Sequence, residues 1–105
     1  MHTPESASVD PSYVPRLKAS VVAMDLEDGL VVYDPEARLV HHLNPWARIV
    51  WQVSDGNATA RQLAEEIADV YGLKGEQVWT DVSACLAELE RAGLVEDAGR
   101  GRRSE

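Results

Sequence analysis

The sequence predicts a small α+β domain in which a three-stranded antiparallel sheet precedes a three-helix winged helix-turn-helix. Up to Leu43, short Val- and Leu-rich segments alternate with the polar breaks "DLEDG" and "DPEAR", a pattern typical of strands joined by tight turns. From Asn44 onward, apolar residues recur at the spacing of helices. The chain has 105 residues, which is enough for one buried core and therefore for one domain.

The three strands are expected at residues 20–24, 30–33 and 38–43, and Pro35 lies where a turn needs a fixed φ. Residues 1–15 contain three prolines and no periodic pattern, so we expect a flexible N-terminal segment. Residues 98–105 are expected to form a basic flexible tail. The folded domain is therefore predicted to span residues 16–97.

Capping signals place the first two helices. Asn44 is followed by Pro45, which favours a helix start because Asn accepts bonds from free amides and Pro is tolerated in the first turn. This helix is expected to end at Gly56. Thr59 and Gln62 have the spacing of a capping box and predict the start of the second helix.

The second helix is expected to stop at Gly72, and the third, "EQVWTDVSACLAELERAG", to end at Gly93. A short extended piece should then pack back through residues 94 and 95. The apolar residues of the third helix share one face, which is the pattern of a helix packed on a core. These residues are Val78, Val82, Cys85, Leu86 and Leu89.

The charge of the chain argues against nucleic acid as a partner. The formal net charge is −8, and the last six residues, "RGRRSE", contribute +2 of it, so residues 1–99 carry −10. Neutralisation of phosphates by Lys and Arg supplies most non-specific affinity for nucleic acids. A winged helix-turn-helix regulator remains an alternative, but Arg91 is the only basic residue between Glu76 and Ala92, where bases would be read.

No residue pattern predicts catalysis or a bound cofactor. His41 and His42 are adjacent on a predicted strand and should point to opposite faces, which disfavours a shared metal ion. Cys85 is the only cysteine and lies on an apolar helix face, so we interpret it as a packing residue. A single free cysteine, with no signal peptide or long apolar segment, predicts a cytoplasmic protein without membrane contact. The chain is expected not to be an enzyme.

The aromatic residues offer candidates for a binding surface. Trp46 falls on the apolar stripe of the first helix and is expected in the core. Trp51 and Trp79 lie beside their stripes, where each is either the rim of a binding groove or edge-of-core packing. Asp81 also lies beside the stripe of the third helix and is a candidate for tying that helix to a neighbouring segment.

The segment "LNPWARIVWQVSDGNATARQLAEEIADVYGLKGEQVWTDVSACLAELERAGLVE" resembles the PqqD-like family of peptide chaperones, also called RiPP recognition elements. The resemblance rests on Leu43-Asn44 before a small-residue helix, on Asp55-Gly56, on "ATARQLAEEIA", and on Asp81-Val82 leading to Gly93-Leu94. Such a domain is non-catalytic, binds the leader region of a ribosomally made precursor peptide and presents it to a modifying enzyme, such as a radical-SAM enzyme or a leader peptidase.

In the family, the leader adds as an extra strand beside the third strand and lies against the third helix. The resemblance thus implies docking residues on both elements. On the strand they are Arg38, Leu39, Val40, His41, His42 and Leu43, and on the helix they are Val78, Trp79, Val82, Cys85, Leu86 and Leu89. A free edge strand can also pair with a second copy, so a homodimer is an open alternative, as is an interaction module outside RiPP biosynthesis.

Overall fold

The computed structural model describes residues 9–98 and has the predicted α+β architecture, with a three-stranded antiparallel sheet and three helices. An additional two-stranded sheet joins the two ends of this region. In chain order the elements are β1 Pro15–Leu17, β2 Val22–Leu26, β3 Gly29–Asp34, β4 Leu39–Leu43, α1 Pro45–Val53, α2 Ala60–Tyr71, α3 Gly75–Arg91 and β5 Val95–Asp97.

The larger sheet has the order β2-β3-β4, with both pairs antiparallel. Leu26 pairs with Gly29, so the first hairpin turns through only two residues and the first strand lies two residues later than predicted. Gly29 adopts φ 154, and a side chain there would collide with the backbone oxygen of Leu43 on β4. The absence of a side chain at Gly29 therefore allows the start of β3 to approach the end of β4.

The second hairpin shortens the predicted third strand by one residue. The buried carboxylate of Asp34 accepts hydrogen bonds from the backbone N–H groups of Glu36 and Ala37, at 3.1 and 3.3 Å, which fixes the turn. Arg38 then adopts the left-handed φ of 58°. Because that conformation is incompatible with a strand, β4 begins at Leu39, and Arg38 belongs to the turn.

The predicted helix caps are confirmed. The Asn44 side chain accepts a hydrogen bond from the N–H of Ala47 at 2.8 Å, and Pro45 follows at the first helical position. Thr59 and Gln62 form the complete reciprocal capping box. Gly72 ends α2 in the left-handed conformation, with φ 66.

The pairing of β1 with β5 was not predicted. Leu17 pairs with Val95, and Arg16 forms a 2.6 Å ion pair with Glu96. Tyr13 is only 5% exposed, so the expectation of a flexible segment through residue 15 is wrong for residues 13–15, which pack on the domain. The rest of that expectation, for residues 1–8, and nearly all of the predicted basic tail lie outside the described residues.

The core lies between the inner face of the larger sheet and the three helices. Leu30, Val32 and Leu43 contribute from the sheet, while Val82 and Leu86 of α3 are completely buried. The opposite face of the sheet is exposed to solvent although it is largely apolar. Its exposed apolar residues are Val22, Met24, Tyr33 and Val40.

The close approach of Gly29 to β4 predicts a strong effect of substitution there. We expect Gly29→Ala to lower the free energy of unfolding by about 2–4 kcal/mol, because the added methyl group must displace the Leu43 carbonyl and alanine disfavours this φ. Gly75→Ala is the matched control, since no atom lies within 4 Å of its added Cβ. Urea denaturation of both variants measures the difference, and equal stabilities would contradict the proposed role of Gly29.

Candidate functional site

A groove of about 410 Å³ separates the edge strand β4 from the C-terminal half of α3. Six of the twelve residues predicted for the docking site line it together. They are Val40, His41, His42 and Leu43 from the strand and Cys85 and Leu89 from the helix. The remaining lining residues are Asn44, Ala47, Glu88, Ala92 and Leu94.

The strand side of the groove is the free edge of the sheet. Within residues 9–98, β4 pairs with β3 on one side and with no strand on the other. Side chains alternate along β4, so His41 lies on the core-facing side opposite Val32, while His42 lies on the exposed side opposite Val31. The edge therefore offers main-chain hydrogen-bonding groups beside a cavity that can take side chains.

The histidines occupy different environments, as their alternation predicts. The Nε2 atom of His41 is buried and has no hydrogen-bond partner among the described residues. His42 is half exposed, and its Nε2 lies 3.9 Å from the Asp28 carboxylate. Nowhere in residues 9–98 do three His, Cys, Asp or Glu residues lie close enough together to hold a metal ion.

The helix side of the groove is a strip of α3 next to its core-facing stripe. Cys85, Glu88 and Ala92 recur at spacings of three and four residues, which places them on one face. Glu88 and Ala92 were not predicted, nor was Ala47 of α1, which faces them across the groove. Their spacing from Cys85 was the available signal, but neither a carboxylate nor a small residue stands out as a groove residue by type.

Four predicted helix residues lie outside this groove. Val82 and Leu86 have no exposed surface and pack in the core beneath it. Val78 is 2% exposed and lines a separate cavity towards the start of α3. Trp79 turns towards α2, where the Arg61 guanidinium lies 5.0 Å from the centroid of its ring. Arg38 and Leu39 on the strand side are exposed but do not line the groove.

The tryptophans of α1 exchange their predicted roles. Trp51, a candidate for a groove rim, is 5% exposed and lies in the core. Trp46, expected in the core, is half-buried and lines two cavities beside the groove. The reason is that α1 is only nine residues long, so contacts with the sheet and α3 decide which of its faces is buried.

The thiol of Cys85 is held in its neutral form. Burial disfavours the thiolate, and the nearby Glu88 carboxylate adds repulsion, so that the pKa of Cys85 rises to about 11. A protonated thiol is a poor nucleophile and a small, weakly polar packing group. This supports the interpretation of Cys85 as part of the groove wall.

In residues 9–98, no helix is both long and apolar enough to cross a membrane.

Alkylation of Cys85 tests its environment, because it is the only cysteine in the chain. At pH 8 we expect iodoacetamide to react with the folded protein about 100-fold more slowly than with the urea-unfolded chain, since the pKa is raised from 9.0 to about 11. The folded rate should keep rising about tenfold per pH unit up to pH 10, where the unfolded rate has levelled off. Mass spectrometry follows the reaction, and a folded rate that levels off near pH 9 would contradict the raised pKa.

Comparison with known proteins gives a family match. The family profile described as coenzyme PQQ synthesis protein D (PqqD) matches residues 29–95, which is more than half of the chain. Among curated proteins, none is significantly similar to the chain.

Solved structures share the fold. One is the solution NMR structure of the PqqD truncation of Methylobacterium extorquens PqqCD, described as a functional, stand-alone RiPP recognition element. It is 26% identical, with a TM-score of 0.71, and the match covers 88% of this chain and 98% of that one. Others are TbiB1 in complex with the TbiA(beta) leader peptide (17% identity, TM-score 0.67, 77% and 94% covered) and lasso peptide synthetase B1 complexed with the leader peptide (18%, 0.67, 78% and 96%).

The profile match includes β3, β4 and all three helices, and therefore both walls of the groove. The resemblance noted in the sequence is confirmed, and the chain belongs to the PqqD family.

Proposed function

We propose that this protein binds the leader region of a ribosomally synthesised precursor peptide by strand addition to β4 and presents it to a modifying enzyme. The observation that carries the proposal is the free edge of β4 beside the 410 Å³ groove. The leader peptides bound to TbiB1 and to lasso peptide synthetase B1, which have this fold, support it.

The geometry suits an extended peptide. Five residues of β4 offer a docking edge of about 17 Å, and backbone groups of the leader can complete the hydrogen bonds that β3 leaves open on this side. Alternate side chains of the leader would then enter the groove and pack against Cys85, Leu89 and Ala92. Main-chain bonding supplies affinity in this arrangement, and the groove supplies selectivity.

The finer aspects of the role are also proposals. We propose a non-catalytic protein that acts in the cytoplasm together with an enzyme such as a radical-SAM enzyme or a leader peptidase. The helix pair α2 and α3, with the short turn at residues 72–74, is interpreted as the helix-turn-helix of a winged domain in which α3 holds peptide and not DNA. A homodimer through β4 would occupy the same edge and compete with the leader.

Binding can be tested with labelled leader segments of candidate precursor peptides, followed by fluorescence anisotropy with a DNA duplex as the control. We expect saturable peptide binding that Cys85→Trp weakens about tenfold or more, because the indole fills the groove that the leader must enter. Thr80→Trp is the matched control, since Thr80 is exposed on another side of α3 and lines none of the cavities described here. Circular dichroism checks that both variants fold.

Two outcomes would contradict the proposal. Salt-sensitive binding to the duplex without any peptide binding would favour the regulator. Peptide binding that Cys85→Trp and Thr80→Trp reduce equally would place the binding surface away from the groove.

A further inference from the structure

The groove beside β4 continues along α3. A second cavity, of about 240 Å³, shares Asn44, Ala47, Cys85 and Glu88 with the first. A third cavity, of about 500 Å³, shares Trp46 and Asp81 with the second. Because neighbouring cavities share walls, they form one track from the end of β4 to the turn between α2 and α3.

The far end of the track is a largely apolar cavity. It is lined by the half-buried Trp46 of α1, by Leu73 in the turn and by Val78 of α3. Leu73 is 52% exposed, which is unusual for a large apolar residue in a cavity wall and leaves surface that a ligand side chain can cover. Gly72, Lys74, Gln77 and Asp81 complete the lining.

The middle of the track is negatively charged. Asp81 and Glu88 lie on either side of Cys85, at helical spacings of four and three residues, and both are exposed. Neither carboxylate forms an ion pair within 4.0 Å in the described part of the chain. Lys74, at the far end, is the only Lys or Arg among the residues that line the three cavities.

We infer that the ligand of this track is a peptide with two recognition elements beyond its β-strand, namely a Lys or Arg facing Asp81 and Glu88 and a large apolar side chain in the Trp46–Leu73 cavity. The inference rests on the proposed function and names the chemistry of the leader. Charge complementarity requires the basic residue, and the exposed Leu73 beside Trp46 requires the apolar one.

The helix sets the spacing of these elements. Glu88 and Val78 are ten residues apart on α3, a rise of about 15 Å. An extended peptide covers that distance in four or five residues. The apolar residue should therefore lie about four or five positions beyond the end of the strand segment, with the basic residue between them.

A displayed library provides a probe that does not depend on knowing the leader. We would select random peptides of about 16 residues, which span roughly 50 Å when extended, against the full chain. We expect the selected peptides to carry a Lys or Arg followed or preceded, within about five positions, by an aromatic or large aliphatic residue. One selected peptide, labelled with fluorescein, then serves for anisotropy titrations.

Charge reversal tests the basic element. We expect Glu88→Lys to weaken binding of the selected peptide about three- to tenfold at low salt and less at high salt, because an exposed ion pair becomes a repulsion. Changing the basic residue of the peptide to Glu should restore binding to Glu88→Lys. Glu90→Lys, an exposed acidic residue that lines none of these cavities, is the matched control and should have little effect.

The apolar element has its own matched pair. We expect Leu73→Asp to weaken binding about tenfold, and to do so only for peptides that carry the large apolar residue. Val70→Asp, at a residue that is 70% exposed but lines a cavity between α1 and α2, should leave binding unchanged.

Failure of the inference can be told apart from failure of the proposed function. If no peptide is enriched, or if enriched peptides bind Cys85→Trp as well as the unmodified protein, the proposed function fails and the inference with it. If binding is lost with Cys85→Trp but unchanged with Glu88→Lys and Leu73→Asp, the groove binds peptide and the two-element ligand is overturned.

Discussion

The free edge of β4 is the constraint on which the rest of this structure depends. In the described region, β5 is the one strand that follows the helices, and it pairs with β1, so it leaves the β4 edge uncovered. The length of that edge is fixed at both ends. Arg38 begins it with a left-handed turn residue, and Pro45 ends it by starting α1. A partner that adds to this sheet therefore meets five residues, and it must find further affinity beside the strand.

The third helix supplies that further surface without giving up its place in the core. Val82 and Leu86 face inward and are completely buried, while Cys85, Glu88 and Ala92 form the adjacent strip along the groove. Because the two sets lie on different faces, exchange of a groove residue removes little buried apolar area. Stability and recognition are thus carried by different residues of one helix, and the specificity of the groove can change without loss of the fold.

Local interactions explain why much of the fold could be predicted from the sequence. The caps at Asn44 and Thr59 depend on residues three positions away, and the hairpins depend on turns of a few residues. Contacts between distant residues leave no comparable signal. The pairing of Arg16 with Glu96 joins residues 80 positions apart, and the burial of Trp51 in place of Trp46 follows from how α1 meets its neighbours. For the same reason the strand wall of the groove was largely predicted, whereas its helix wall was placed on the core-facing stripe.

The division between main-chain and side-chain contacts has a consequence for selectivity. Backbone hydrogen bonds to β4 can be made by nearly any extended peptide, so they cannot distinguish one leader from another. Discrimination must come from α3 and from the cavity at Trp46 and Leu73, where shape and charge differ from place to place. The carboxylates of Asp81 and Glu88 would act mainly against wrong partners, because an acidic peptide that pairs well with β4 would still meet two like charges along α3. The net negative charge of the chain acts in the same direction over a longer range, so that basic peptides are attracted to the surface before the strand forms.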